Sequence, residues 1–402
     1  MPVNFTIEDI GSFKKNSNLS IELDGKPPRL NTNEDLYGKL YGEKQLNLIL
    51  GVKKFNDDGG GEKLETTLEY IKHMARTTKI WNLKNLIKSD FISTRGTLRR
   101  IAESAYDSGQ KLEYGFKLIA VKRYGVIFLW KMDDYCPHIQ LHNGLKFEQY
   151  MTLNEDGKPF NKRDPISKNT FKRVFRMNVE KSGKEPLRLF YGAEIDAIDE
   201  DDNSVELKVL REGMNEYWWK NSSLRTYLQV LFANTTKLVV GKRHFSKVVE
   251  VKSIDRNYIT KYTNWKVDKC MKHLFKVLSH MKSVMSEGDT MLITCQGKEF
   301  NYELLDNDEY DLAPKKFLSF FGPNPFKVPH KYKEVSCIPA YPRKSKYGIA
   351  EQIYFFFFDE GMRYHSAGPQ LRIPQPIRGA ILLSSIIYLF IYIGFKLCTF
   401  LL

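Results

Sequence analysis

The sequence feature that most constrains the fold is the alternating segment YGAEIDAIDEDDNSVELKVL at residues 191–210. Residues two apart in a β-strand point to the same face of a sheet. Glu194 and Asp196 are therefore expected to share one face of a first strand, and Glu206 and Lys208 one face of a second, with apolar residues opposite them. The segment thus predicts a β-hairpin with one apolar and one charged side.

The charged side of this hairpin has two interpretations. An ordinary hairpin with one face in solvent shows the same alternation. Alternatively, acid-x-acid facing acid-x-lysine gathers oxygen ligands of the kind that Mg²⁺ prefers, beside an ammonium group that complements a scissile phosphate. This second arrangement is used by the broad D-(D/E)xK nuclease superfamily, although many other proteins match it by chance. The acidic residues 199–202 are expected to form a solvated turn in either case.

The rest of the chain mixes strand-like and helical segments without the regular order of βαβ units. Residues 113–130 predict two strands with a turn between them, whereas 222–235 and 267–286 have helical patterns. No repeat or low-complexity linker divides the chain. We therefore expect an α+β fold, in which residues 1–372 form a single mixed-sheet domain with flanking helices. Under the second interpretation of the hairpin, this domain has a D-(D/E)xK nuclease-like core.

The charge balance favours polyanionic partners. The chain has 62 Lys and Arg against 48 Asp and Glu, a formal net charge of +14. Such an excess suits contact with nucleic acid or an anionic membrane face, although a basic surface without a partner gives the same balance. Its five cysteines are scattered and lack CxxC spacing, which argues against a disulfide framework or a zinc site. With no apolar signal-peptide region at the start, we expect an intracellular protein.

The C-terminal segment predicts a membrane anchor. Residues 379–395 are 17 consecutive uncharged residues, followed by Lys396 and another apolar stretch. This length is at the lower limit for a membrane-spanning helix, and a lysine at that place can reach the interface. We expect a C-terminal hydrophobic helix at 379–402 that anchors a cytosol-facing domain, because Arg372 and Arg378 precede it. The alternative is a buried core helix, with the protein free in nucleus or cytoplasm.

Three segments outside the hairpin supply further polar candidates. Arg95 and Gly96 precede a helical pattern that Thr94 can cap, and a phosphate is well placed at such a helix N-terminus. Glu148 follows in NGLKFEQYMTL, and Gln229 lies in the helical segment SSLRTYLQVLFANT. Each feature alone is weak evidence for a site.

In this order the motifs resemble those of the DXO family of RNA 5′-end decapping exoribonucleases, from about Phe91 to Arg243. The matching residues are an arginine (Arg95), the glutamate of a G-x(3)-E motif (Glu148), an E-x-D pair (Glu194 and Asp196), an E-x-K pair (Glu206 and Lys208) and a helical glutamine (Gln229). Five short motifs in the right order at sensible spacing are fairly specific.

The resemblance implies roles for these residues. It implies a site for one or two Mg²⁺ or Mn²⁺ ions whose ligands are Glu148, Asp196, Glu206 and the backbone carbonyl of Leu207. Glu194 would act close by through a water molecule, and Lys208 and Gln229 would position the attacking water. The RNA 5′ end would contact Arg95, Glu148, Lys208 and Gln229. Members of the family act on RNA with triphosphate, incomplete-cap or NAD-type 5′ ends, and several then degrade the RNA 5′ to 3′.

Some positions depart from the family pattern. Thr94 and Ala105 stand where a tryptophan and a proline are common, and residues 227–232 read YLQVLF where a Trp-Ala-Gln-Ser-Phe-like run is usual. We interpret these differences as changes in substrate fit. Two alternatives stay open: a catalytically weak or inactive RNA-binding protein tethered to a membrane, and a general phosphodiesterase or DNA nuclease.

Overall fold

The computed structural model describes residues 2–16, 18–52, 62–107, 115–132, 141–166, 171–305, 310 and 312–326. These residues belong to one compact unit. The predicted helix at 379–402 lies outside them, so it stays a prediction. Within the parts of the chain that the structure describes, no helix combines the length and the apolar character needed to cross a membrane.

The described chain mixes strands and helices throughout. The strands are β1 (Val3–Lys15), β2 (Ile21–Glu22), β3 (Arg29–Leu30), β4 (Gly38–Lys39), β5 (Leu46–Asn47), β6 (Phe91–Thr94), β7 (Phe116–Arg123), β8 (Val126–Lys131), β9 (Thr152–Leu153), β10 (Phe171–Lys181), β11 (Leu187–Glu194), β12 (Ala197–Ile198), β13 (Ser204–Arg211), β14 (Lys237–His244), β15 (Lys247–Asp255), β16 (Thr290–Gln296) and β17 (Glu299–Leu305). The helices are α1 (Glu65–Thr78), α2 (Leu83–Ile87), α3 (Arg95–Glu103), α4 (Leu141–Met151), α5 (Glu216–Asn221), α6 (Ser223–Phe232), α7 (Arg256–Thr260), α8 (Val267–Val284) and α9 (Lys315–Leu318).

The strands of the described residues form two mixed sheets. The first has the order β17-β16-β7-β8-β6-β11-β10-β1-β2, and the second the order β4-β15-β14-β13-β12-β3-β9, with β5 also paired to β15. Both contain parallel pairs, β6 with β8 and β11 in the first and β13 with β14 in the second. The predicted α+β class is confirmed, but the strands are divided between two sheets instead of one.

Helices cover both faces of the first sheet. On one face, Phe91 and Tyr191 lie in a buried cluster with residues of α3, α6 and α8. On the other face, Ile92 and Phe190 pack with residues of α1, α2 and α9. The alternation of neighbouring residues between two cores explains why β6 and β11 are apolar at consecutive positions.

Helices α4 and α6 lie on opposite faces of the second sheet. In α4, Phe147 packs with Leu207 and Val239. In α6, Leu228 shares a cluster with Leu238 and with residues of the first sheet. Because α6 packs against both sheets, it lies where they meet.

The predicted hairpin is interrupted at this meeting point. β11 ends at Glu194 in the first sheet, and only Ala197 and Ile198 pair with β13 in the second. The prediction that apolar residues on the first strand share a face fails, since Ile195 and Ala197 belong to different cores. The physical reason is that the chain crosses between sheets at Ile195–Asp196, and this change of direction breaks the period of two.

The acidic turn after β12 also differs from its prediction. Asp199 is only 8% exposed, and its Oδ1 accepts hydrogen bonds from the backbone N–H groups of Asp201 and Asn203. Its other carboxylate oxygen lies 3.0 Å from Nζ of Lys237. Asp199 therefore stabilises the turn from inside, while Asp201 and Asp202 are exposed as predicted.

Candidate active site

Asp196 is positioned by the edge of β13. Its Oδ2 accepts a hydrogen bond from the backbone N–H of Leu207 at 2.9 Å, next to the short β12–β13 pairing. The N–H and C=O of one strand residue point to the same side of the strand. The carbonyl of Leu207 is therefore directed to the same side as Asp196, as a backbone metal ligand requires.

Glu206 and Lys208 point from β13 toward α3 and α6. Glu206 is 2% exposed, and Lys208 Nζ lies 2.6 Å from its Oε1. The amide nitrogen of Gln229, on α6, donates to the same oxygen at 2.5 Å. The predicted E-x-K pair and the predicted glutamine thus meet at one carboxylate.

Arg95 approaches this carboxylate from the start of α3. Thr94 caps the helix, since its Oγ1 accepts a hydrogen bond from the N–H of Thr97 at 3.2 Å. The Arg95 guanidinium donates to the Glu194 carbonyl at 2.9 Å and lies 3.5 Å from Oε2 of Glu206. The capped helix end and the arginine therefore face the site together, an arrangement that favours phosphate.

Glu148 reaches the site from α4. Phe147 and Tyr150 bury one side of this helix in the core of the second sheet, which leaves Glu148 half-buried on its other side. A Cβ atom on Gly144, one turn earlier, would lie in ordinary van der Waals contact with Glu148 Oε1, at 3.9 Å.

The pKa values show how strongly the carboxylates interact. Burial, together with the negative charges of Glu206 and Glu148, raises the pKa of Asp196 well above its usual range. Burial also opposes ionisation of Glu206, but the nearby cations of Lys208 and Arg95 outweigh it and lower the pKa of that carboxyl.

Lys208 carries a proton in this arrangement. Burial disfavours its charged form, but the carboxylates of Glu206 and Asp196 outweigh burial and raise the pKa of Lys208. The ammonium therefore acts as a hydrogen-bond donor and a positive charge beside the carboxylates.

The structure brings together seven of the eight residues predicted for the site: Arg95, Glu148, Asp196, Glu206, Leu207, Lys208 and Gln229. Glu194 lies next to them, and its carbonyl contacts Arg95. Its half-buried side chain makes no hydrogen bond or ion pair within the described residues.

The donor set fits a hard divalent cation. Among the described residues, no three acidic, histidine or cysteine side chains already surround one point at ligand distances. However, Asp196, Glu206 and Glu148 interact electrostatically, and their oxygens together with the Leu207 carbonyl are the ligand type that Mg²⁺ and Mn²⁺ prefer. A cation would relieve the repulsion that contributes to the raised pKa of Asp196, once Glu206 exchanges some of its internal partners for the ion.

Two charged residues beside the site were missed in the sequence. Arg99 is one turn after Arg95 on α3, and Arg225 is one turn before Gln229 on α6. Each arginine is four residues from a predicted site residue in a helical segment, and this spacing indicates that the two side chains share a helix face.

Comparison with known proteins identifies the family. A family model described as RAI1-like PD-(D/E)XK nuclease matches residues 7–318. The chain belongs to this family. The resemblance drawn from the motifs is therefore confirmed, as is the predicted enzyme class, a nuclease.

Relatives of the RAI1-like family match most of the chain. The decapping nuclease dom-3 of Caenorhabditis elegans is 26% identical over 302 residues, covering 69% of this chain and 75% of the relative. The decapping and exoribonuclease protein Rai1 of Drosophila melanogaster is 24% identical over 310 residues, covering 64% and 76%. Rai1 of Scheffersomyces stipitis has a TM-score of 0.63 at 14% identity, with 80% of this chain and 97% of that chain covered. Rai1 of Candida albicans, solved in complex with pU5 and Mn²⁺, has a TM-score of 0.61 at 14% identity, with 79% and 95% covered. These structural matches show that the fold is shared.

Proposed function

We propose that this protein is a metal-dependent hydrolase of RNA 5′ ends, which removes a triphosphate, an incomplete cap or an NAD cap and degrades the RNA 5′ to 3′. The observation that carries the proposal is the convergence of Asp196, Glu206 and Glu148 with Lys208 and Gln229. Relatives named decapping nucleases, and a Rai1 structure that holds an oligouridylate and Mn²⁺, support the choice of RNA and of metal.

The carboxylates would hold Mg²⁺ or Mn²⁺. The proposed ligands are Glu148, Asp196, Glu206 and the Leu207 carbonyl, with Glu194 acting through a water molecule. When bound, the cation stabilises charge on the transferring phosphoryl group and favours ionisation of a nearby water.

Lys208 and Gln229 would act on the reacting groups. The Gln229 amide nitrogen donates to Glu206, and its carbonyl oxygen would accept a hydrogen bond from the attacking water. The protonated Lys208 would donate to a phosphoryl oxygen, where negative charge develops in the transition state. Lys208 would thus serve as an electrostatic group and leave proton removal to another base.

Arg95 would hold the 5′ phosphate. Its guanidinium lies at the N-terminus of α3, where the helix dipole and the exposed Gly96 backbone also favour an anion. Arg95 would therefore fix the terminal nucleotide with its phosphate toward Glu206.

The experiment that tests this function compares products from three RNAs. Full-length protein and Asp196→Ala are incubated with Mn²⁺ and RNA bearing a 5′ triphosphate, an unmethylated cap or an NAD cap. We expect the wild type to release 5′-monophosphate RNA and Asp196→Ala to lose at least about a hundredfold in rate. Identical products from both proteins would refute the proposal, whereas salt-dependent RNA binding without turnover by the wild type would support the non-catalytic alternative.

The domain limits and the membrane anchor stay predictions. We propose that residues 1–372 form the catalytic part and that 379–402 anchor it to a membrane, both on the sequence features given above. Partial proteolysis of the full chain, followed by mass spectrometry, tests the first limit.

A further inference from the structure

Helices α3 and α6 place a row of arginines next to the candidate active site. Arg95 and Gln229 both contact Glu206, while Glu103 at the other end of α3 pairs with Arg225 at the start of α6. The two helices are therefore antiparallel, with the start of one beside the end of the other.

The residue spacing on the two helices aligns their arginines in a strip. Positions four apart lie on one helix face, about 5.4 Å apart along the axis for each turn. Arg95 and Gln229 are at the level of the catalytic carboxylate, and Arg99 and Arg225 are one turn farther away. We define Arg95, Arg99, Arg225 and Glu103 as the arginine strip.

The strip has more positive than negative charge. Glu103 lies 3.1 Å from Nε of Arg225 and is also paired with Arg99, so two guanidinium groups share one carboxylate. Burial lowers the pKa of Arg99 to about 10, and the guanidinium groups of Arg225 and Arg95 contribute to this shift against the opposing carboxylate. Arg99 thus lies among several cations.

The strip is open to solvent on one side. The side chain of Arg225 is 58% exposed, whereas those of Arg99 and Glu103 are 17% and 12% exposed. The neighbouring Arg100 does not take part, because it pairs with Asp107 at 2.9 Å. An anion can therefore reach Arg225 from solvent and contact Arg99 beneath it.

The length of the strip indicates what it binds. Its cations extend one helical turn beyond Arg95, where Glu103 pairs with both Arg99 and Arg225 and holds the two guanidinium groups side by side. A continuing RNA chain needs positive charge over a longer path. A diphosphate attached to the reacting phosphorus fits this short distance, and guanidinium groups bind phosphate oxygens in pairs.

We propose that Arg99 and Arg225 bind the phosphates that leave from the RNA 5′ end, so that the site selects ends with a phosphoanhydride chain. This inference rests on the proposed function. With a triphosphate end, water attacks the α-phosphorus, and the bond from that phosphorus to the bridging oxygen breaks. Pyrophosphate leaves with the electron pair of that bond, the RNA keeps a monophosphate, and the proton of the water passes to solvent.

The test measures binding of the leaving group. Inorganic pyrophosphate and inorganic phosphate are titrated by calorimetry into the full chain with Mn²⁺, using wild type, Arg225→Gln and Arg225→Lys. Arg29→Gln is the matched control, because Arg29 is a similarly exposed arginine paired with a carboxylate at 2.8 Å. We expect Arg225→Gln to weaken pyrophosphate binding about tenfold, as for the loss of one charged hydrogen bond, and to leave phosphate binding within about twofold.

The expected pattern also includes the two other variants. Arg225→Lys keeps the charge and should retain part of the pyrophosphate affinity, whereas Arg29→Gln should match the wild type. Equal pyrophosphate affinity of Arg225→Gln and wild type would overturn the inference. This measurement needs no turnover, so it tests the arginine strip independently of the proposed function. The product assay with Asp196→Ala tests the proposed function separately.

Discussion

The buried lysine pair around Glu62 gives a prediction of stability that does not depend on function. Lys15 Nζ and Lys172 Nζ lie 3.0 Å and 2.6 Å from the two carboxylate oxygens of Glu62. The two lysines are 3% and 9% exposed, and Thr66 also donates to Glu62. Replacing Glu62 with glutamine keeps the shape but leaves two buried ammonium groups without a counter-charge.

The magnitude follows from the pKa of Glu62. Burial opposes its ionisation, but Lys172 and Lys15 outweigh this and lower the pKa from 4.5 to about 2. At about 1.4 kcal/mol per pKa unit, the two lysines stabilise the folded state by about 3 kcal/mol through this carboxylate. A folded-state pKa below the unfolded one gives stability that is present above about pH 4.5 and is lost as the pH falls toward 2.

The assay is urea unfolding followed by tryptophan fluorescence at pH 7. Glu62→Gln should lower the free energy of unfolding by about 3 kcal/mol. The matched control is Glu155→Gln, because Glu155 pairs with the adjacent Lys14 at the same 3.0 Å but is 81% exposed. That control should lose little stability, because solvent screens the exposed pair. Equal losses for the two variants, or a Glu62→Gln effect that is undiminished at low pH, would refute the reasoning.

Further predictions concern α4, the β12–β13 turn and the C-terminus. Gly241→Ala places a Cβ atom 2.6 Å from the ring of Phe147, so α4 must shift. We expect the free energy of unfolding to fall by about 1–3 kcal/mol and Mn²⁺ to bind more weakly in a titration. Unchanged Mn²⁺ affinity would contradict this prediction. Asp199→Ala should lower the free energy of unfolding in urea by about 1–2 kcal/mol, whereas Asp201→Ala, at an exposed position, should change it little. A larger loss for Asp201→Ala than for Asp199→Ala would be inconsistent with the buried position of Asp199. Deleting 379–402 should abolish membrane association, and full-length protein that carbonate extraction leaves wholly soluble would argue against the anchor.

Much of the candidate site was predictable because its residues lie on regular elements. The alternation of Glu206 and Lys208 in a strand puts both on one face, and the structure places them there. A threonine before a helical pattern predicts a helix N-cap, and the structure confirms that Thr94 caps α3 and that Arg95 is at the start of this helix. The order of motifs then indicated which acids belong together.

The remaining features depend on packing that no local pattern records. The sequence up to Glu194 alternates in the same way whether the strand continues or the chain changes sheet at Asp196. An exposed acidic turn and one that Asp199 stabilises from inside likewise have the same composition. The difference in each case comes from distant partners, Leu207 for Asp196 and Lys237 for Asp199.

The central claim is that the carboxylates brought together by α4, the sheet crossing and β13 form a metal-dependent centre for RNA 5′-end hydrolysis. The most direct measurement is single-turnover release of monophosphate RNA from 5′-triphosphate RNA, as a function of Mn²⁺, for wild type and the nearly isosteric Asp196→Asn. We predict that the wild-type rate rises with Mn²⁺ to saturation and that Asp196→Asn, although folded, shows no such rise. A wild-type rate that is insensitive to Mn²⁺ and to chelator, or a variant with the wild-type dependence, would contradict the account.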